Sequence, residues 1–190
     1  MNETATSLSP RLADLRGNYT LDPEHTRIGF IARHAMVTKV RGAFNDFEGH
    51  VRAEGPDLSR AQISLTIQAA SIDTRNTQRD NHLRSNDFLA MDEFPVITFT
   101  STSVRQTGPE SIELTGDLTI KGVTRSITIP FEFGGATVDP YGDFRVGFEG
   151  SVTINRKDFG VSWNATLETG GVLVSDKVVL EFEVAAVRDA

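Results

Sequence analysis

From Thr26 nearly to its end, the chain places apolar residues at every second position, a periodicity that confines it to β-strands with one buried face. In TRIGFIARHAM the even positions hold Ile28, Phe30, Ala32, His34 and Met36, whereas Arg27 and Arg33 fall on the odd ones. The same alternation gives Ile63, Leu65 and Ile67; Ile97 and Phe99; Ile112, Leu114, Leu118 and Ile120; and Ile127, Ile129, Phe131 and Phe133. It returns in Phe144, Val146, Phe148, Val152 and Ile154, and in Val178, Leu180, Phe182 and Val184. With a strand around Ala43 to Val51, the pattern predicts about eight long strands. Short turn signals separate many of them: Gly55-Pro56-Asp57, Gly108-Pro109, Lys121-Gly122 and Asp139-Pro140-Tyr141-Gly142. Connections this short predict an antiparallel meander, because a parallel crossover needs a dozen or more residues.

Strands with one apolar face either pack as two sheets or close on themselves, and closure removes the edges that invite aggregation. The expected fold is all-β: a single eight-stranded antiparallel barrel over residues 17–190, after a flexible tail over 1–16. A barrel of this size is either filled by its own side chains or left with room for one ligand. The 12 Phe against 1 Trp and 2 Tyr supply aromatic bulk without polar handles, which suits a dry lining and equally suits an ordinary core.

Charge and composition narrow the partners. A net charge of -7 lacks the cationic footprint that nucleic acids or anionic membrane surfaces attract, so neither is expected. With no cysteine, thiolate catalysis and sulfur-ligated zinc are excluded. The opening MNETATSLSPRLADLRG has no basic segment followed by an apolar one, and no run of about 18 apolar residues exists, so a cytoplasmic location is expected.

Two stretches break the alternation. In residues 74–94, Thr77 stands three before Asp80, a capping pattern that predicts a short helix. Residues 163–177, interrupted by Gly170-Gly171, predict a long loop. Neither carries a recognisable catalytic motif. His25, His34, His50 and His82 are spaced too widely for a metal-binding pair, and no metal site is expected. His34 shares the apolar parity of its strand and is a candidate for a ligand's polar end. Asp80, His82 and Asp87 form the densest polar cluster, and a lipid-modifying enzyme would keep its acid or base there or at His34. A solvated helix explains the same residues. A ligand-free structural barrel is the other alternative.

Five blocks occur in order: LDPEHTRIGFIARH, KVRGAFNDFEG, RDNHLRSNDF followed by FPVITFTS, GDLTIKGVTRSITI, and NRKDFGV. Together they resemble the YceI-like family over roughly residues 18–187. Tyr19 stands where that family often has Trp, and Thr26 where Ser is usual. The resemblance implies an extended lipocalin-like barrel with a helical segment at one end, often dimeric. It also implies a non-catalytic carrier of a polyisoprenoid, isoprenoid quinone or fatty chain, with no resident cofactor. On that reading, and from the strand parities, the expected lining draws on Ile28, Phe30, His34, Ile67, Leu83, Phe88, Phe99, Leu114, Leu118, Phe131, Phe144, Phe148 and Phe182, with the segment Leu83 to Phe88 covering one mouth.

Overall fold

The computed structural model describes residues 10–190. Its strands are β1 (Arg16–Leu21), β2 (Arg27–His34), β3 (Thr38–Phe44), β4 (Phe47–Glu54), β5 (Gln62–Gln68), β6 (Ile72–Asp73), β7 (Val96–Gly108), β8 (Ser111–Ile120), β9 (Val123–Val138), β10 (Phe144–Asn155) and β11 (Lys177–Arg188). One α-helix, α1, spans Thr77–Arg84. Every strand pairing is antiparallel, and the β1–β11 pairing closes the ring β1-β4-β5-β7-β8-β9-β10-β11 into an eight-stranded barrel.

Eleven strands make eight staves because three staves are broken. Both β1 and β2 pair with β11, β1 at Leu21↔Ala186 and β2 at Phe182↔Ile28, so they form one stave interrupted at residues 22–26. There the Asp22 carboxylate accepts the Glu24 backbone N–H and the Asp22 carbonyl accepts that of His25, a turn that Pro23 favours. In the same way β3 pairs with β2 while β4 pairs with β1, and β6 pairs with β3 while β5 pairs with β4. Irregularities at Ser101/Ser103 in β7 and at Gly134 in β9, opposite Gly147/Phe148, bend the long strands, as closure requires.

Sequence parity translates directly into the inner face. Ile67 pairs Ile97, Leu65 pairs Phe99, Leu114 pairs Ile129, and Phe148 pairs Val184, all pointing inward. Only the rims depart from expectation. Met36 is 56% exposed, because the β2–β3 pair turns there beyond the barrel wall. Of residues 1–16, expected to form a tail, 1–9 lie outside the described residues, while Leu12 and Leu15 are buried in the core.

Helix α1 starts where expected, but its cap differs. Asn76 Oδ1 accepts the Arg79 backbone N–H at 2.9 Å, and Thr77 is already helical. Asp80 turns the other way and accepts from both the backbone N–H and the hydroxyl of Thr74, which ties the helix to the segment leading into it. Arg84 donates to the carbonyls of Ala70 and Ile72, fastening the helix to β6. These bonds hold an eight-residue helix that could not persist alone.

Candidate functional site

The inner faces enclose a cavity of about 290 Å³, lined from every stave of the barrel. Among its lining side chains only those of Tyr19, Ser64 and Arg156 carry polar atoms. The Tyr19 hydroxyl donates to the Arg16 carbonyl, and burial pushes its pKa up, so the group stays neutral. The interior is therefore a dry space suited to hydrocarbon.

Three of the lining phenylalanines sit in space left free by glycines on neighbouring strands. A Cβ on Gly42 would sit 2.3 Å from Phe30 Cζ, on Gly116 2.4 Å from Phe99 Cζ, and on Gly150 2.6 Å from Phe131 Cδ1. Phe30 pairs directly with Gly42, and Phe131 with Gly150. Each ring occupies the space that a side chain on the neighbouring strand's glycine would need. An interior glycine normally weakens a strand, so these three positions exchange strand propensity for space to seat a ring. Interior glycines inside alternating runs were a readable signal that parity alone overlooks.

Irregular segments line the cavity at both ends. At one end Leu83 of α1, Phe88 and Leu89 beyond it, and Phe159 and Val161 after β10 reach the lumen. Trp163 covers them from outside, 5.3 Å from the Phe88 ring and 4.6 Å edge-on from His82. At the far end Leu12, Leu15 and Leu58 line it. The loop expected at residues 163–177 is pinned by Arg156, which is only 5% exposed. Its guanidinium donates to the carbonyls of Ser175 (2.9 Å), Val161 (2.7 Å), Trp163 (2.9 Å) and Val174 (3.4 Å). Burial lowers its pKa, with Asp176 at 3.9 Å opposing that shift. Asn164 completes the clasp by exchanging two hydrogen bonds with the backbone of Val174.

Of the thirteen residues expected to line the site, Ile28, Phe30, Ile67, Leu83, Phe88, Phe99, Leu114, Leu118, Phe131, Phe148 and Phe182 border the cavity. His34 and Phe144 do not. His34 is exposed at the end of β2, where the strand has run past the rim. Phe144 is the first residue of β10 and packs 6.4 Å from the Tyr19 ring with the Arg188 guanidinium over its face, outside the lumen. Asp80, His82 and Asp87 do not converge on one point. Asp80 is buried against Thr74, while His82 Nε2 meets Asp87 Oδ2 at 2.8 Å in a half-exposed pair. Sequence reading missed Leu12, Leu15 and Arg156, since short irregular segments carry no periodicity.

Comparison with known proteins agrees with this architecture. The model of the YceI-like domain matches residues 19–186. The chain is 41% identical over 165 residues to a UPF0312 protein of Staphylococcus aureus strain MSSA476, covering 86% of this chain and 94% of that one. It is similar to the solved YceI protein of Campylobacter jejuni (31% identity, TM-score 0.71, 83% of this chain and 90% of that one). It shares its fold with BcnA of Burkholderia cenocepacia (23%, TM-score 0.76, 87% and 98%). The same holds for a structure described as a polyisoprenoid binding domain from Saccharophagus degradans (14%, TM-score 0.70, 90% and 98%). With the family model spanning nearly the whole barrel and a close relative matched over most of both chains, this protein belongs to the YceI-like family.

Proposed function

We propose that this protein binds and carries one long, slender apolar molecule, a polyisoprenoid, an isoprenoid quinone or a fatty chain, without transforming it. The observation that carries this reading is the apolar cavity lined from every stave, with Phe rings seated over Gly42, Gly116 and Gly150. A barrel selected only for stability would fill that space, since each buried methylene contributes about 0.8 kcal/mol and voids are costly. The ligand described for the Saccharophagus domain is of the same chemical class.

The chemistry needed is little more than burial. Association costs on the order of 4–15 kcal/mol in lost freedom, so a short chain gains too little and a long one binds well. Affinity should therefore rise about fourfold per methylene until the lumen is full. Native mass spectrometry of purified protein, with extraction of whatever copurifies, tests the reading. An adduct of mass matching a prenyl or acyl chain is expected, as is uptake of an offered chain by stripped protein. Protein that stays empty in both arms overturns the proposal, and so does recovery of a chemically altered chain after incubation.

A further inference from the structure

The β2–β3 hairpin ends in a turn that its sequence does not favour. Ala35 and Met36 have φ of 50° and 59°, and the Val37 N–H bonds the His34 carbonyl at 3.0 Å, the arrangement of a type I′ turn. Such turns select Asn-Gly, because side chains crowd the left-handed backbone. Here the two central positions carry Ala and Met, and the next is Val. The tip is also held out in water: Met36 is 56% exposed and Val37 78%, with Val172 of the adjoining loop at 38%. The Ala35 N–H donates to the Leu173 carbonyl at 2.7 Å, so hairpin and loop form one apolar prominence.

Cations surround it. Arg33 pairs Lys39 across the hairpin, Arg41 pairs Ile31 one step further down, and Lys177 opens β11 beside them. All four are exposed, and among the described residues none takes part in an ion pair. The adjoining loop itself carries two acidic residues, Asp176, which Lys157 engages at 3.2 Å, and the exposed Glu168. The net charge of -7 thus conceals a local cationic collar around an apolar tip.

We infer that this prominence docks the protein on an anionic lipid bilayer, with Met36, Val37 and Val172 entering the headgroup layer and the four cations meeting lipid phosphates. Apolar side chains ringed by Arg and Lys match an interface that is oily below and negatively charged above. The position suits cargo exchange, because Val174 and Val178, a few residues from the tip's contacts, already border the lumen. The docking rests on the carrier reading for its purpose but not for its evidence, and the two fail separately.

Vesicle flotation of stripped, cargo-free protein tests it. Binding is expected to phosphatidylcholine vesicles containing one third phosphatidylglycerol, and to weaken as salt rises from about 0.05 to 0.5 M. Arg33→Gln and Lys39→Gln should each lower partitioning about fivefold. The variant Ala35→Asn/Met36→Gly/Val37→Thr gives the turn the residues its backbone prefers. It should melt no lower than the parent and still take up an offered chain, yet lose vesicle binding. Absence of binding, equal binding to pure phosphatidylcholine, or full binding by the triple variant overturns the docking. Self-association that the triple variant abolishes, with no vesicle binding, would assign the tip to a second copy of the chain and overturn it equally. Uptake of the offered chain in the same samples reports on the carrier reading independently.

Discussion

The Phe30 ring depends on the absence of a side chain at residue 42. Gly42→Ala places a methyl 2.3 Å from Phe30 Cζ, and the ring must swing into the lumen. Chain uptake should fall at least about tenfold, equivalent to losing two methylenes of burial, in a fluorescent fatty-acid displacement assay. Adding Phe30→Leu should restore it, which a general folding defect would not allow. Arg156 works in the opposite sense, as a rigid clasp. Arg156→Met removes the donor to four carbonyls around residues 161–175, and urea denaturation should show a loss of about 3 kcal/mol with fraying of that loop. The alternating residues around both positions are legible from sequence. The ring-over-glycine contact is not, because it depends on which strands become neighbours.

Between elements, the far rim is tied by Arg145 of β10, which reaches Asp22 at 2.6 Å in the break between β1 and β2, and Asp139 at 2.5 Å in the turn after β9. Burial pulls the Asp22 pKa up, but hydrogen bonds from Arg145 and His25 outweigh it and leave it lowered. The Arg145 hydrogen bond is the main cause of the lowered value at Asp139. A carboxyl with a lower pKa when folded contributes stability above its unfolded value, about 4, and loses it as pH falls through the folded value. Thermal midpoints followed from neutral pH to about pH 3 should show Asp22→Asn/Asp139→Asn below the parent at neutrality, with the gap closing in acid. A constant gap would mean the ties act through shape alone. The first half of that broken stave, β1, was hard to read. RGNYTL offers only Tyr19 and Leu21 as an apolar pair, too little for periodicity, and β1 exists because β4 and β11 supply partners on both sides. Helix α1 was legible as a break in alternation, whereas its cap at Asn76 was settled by the fold around it.

For the molecule as a whole, cargo and stability are linked, since a ligand held only by the folded barrel stabilises it in proportion to the logarithm of its concentration. A chain offered at about 100 times its Kd should add roughly 2.7 kcal/mol, read as a raised melting temperature that climbs further with concentration. The barrel was legible because eight alternating runs leave few other ways to hide one face. The hollow was not, since a filled and an empty interior demand the same pattern. What closure of the ladder through β1 and β11 adds is a fixed girth. A hoop of hydrogen-bonded strands cannot widen without breaking a rung, so its contents are gauged by thickness. A flexible acyl or prenyl chain should therefore displace a bound fluorescent fatty acid, whereas a flat, fused-ring sterol of equal oiliness should not.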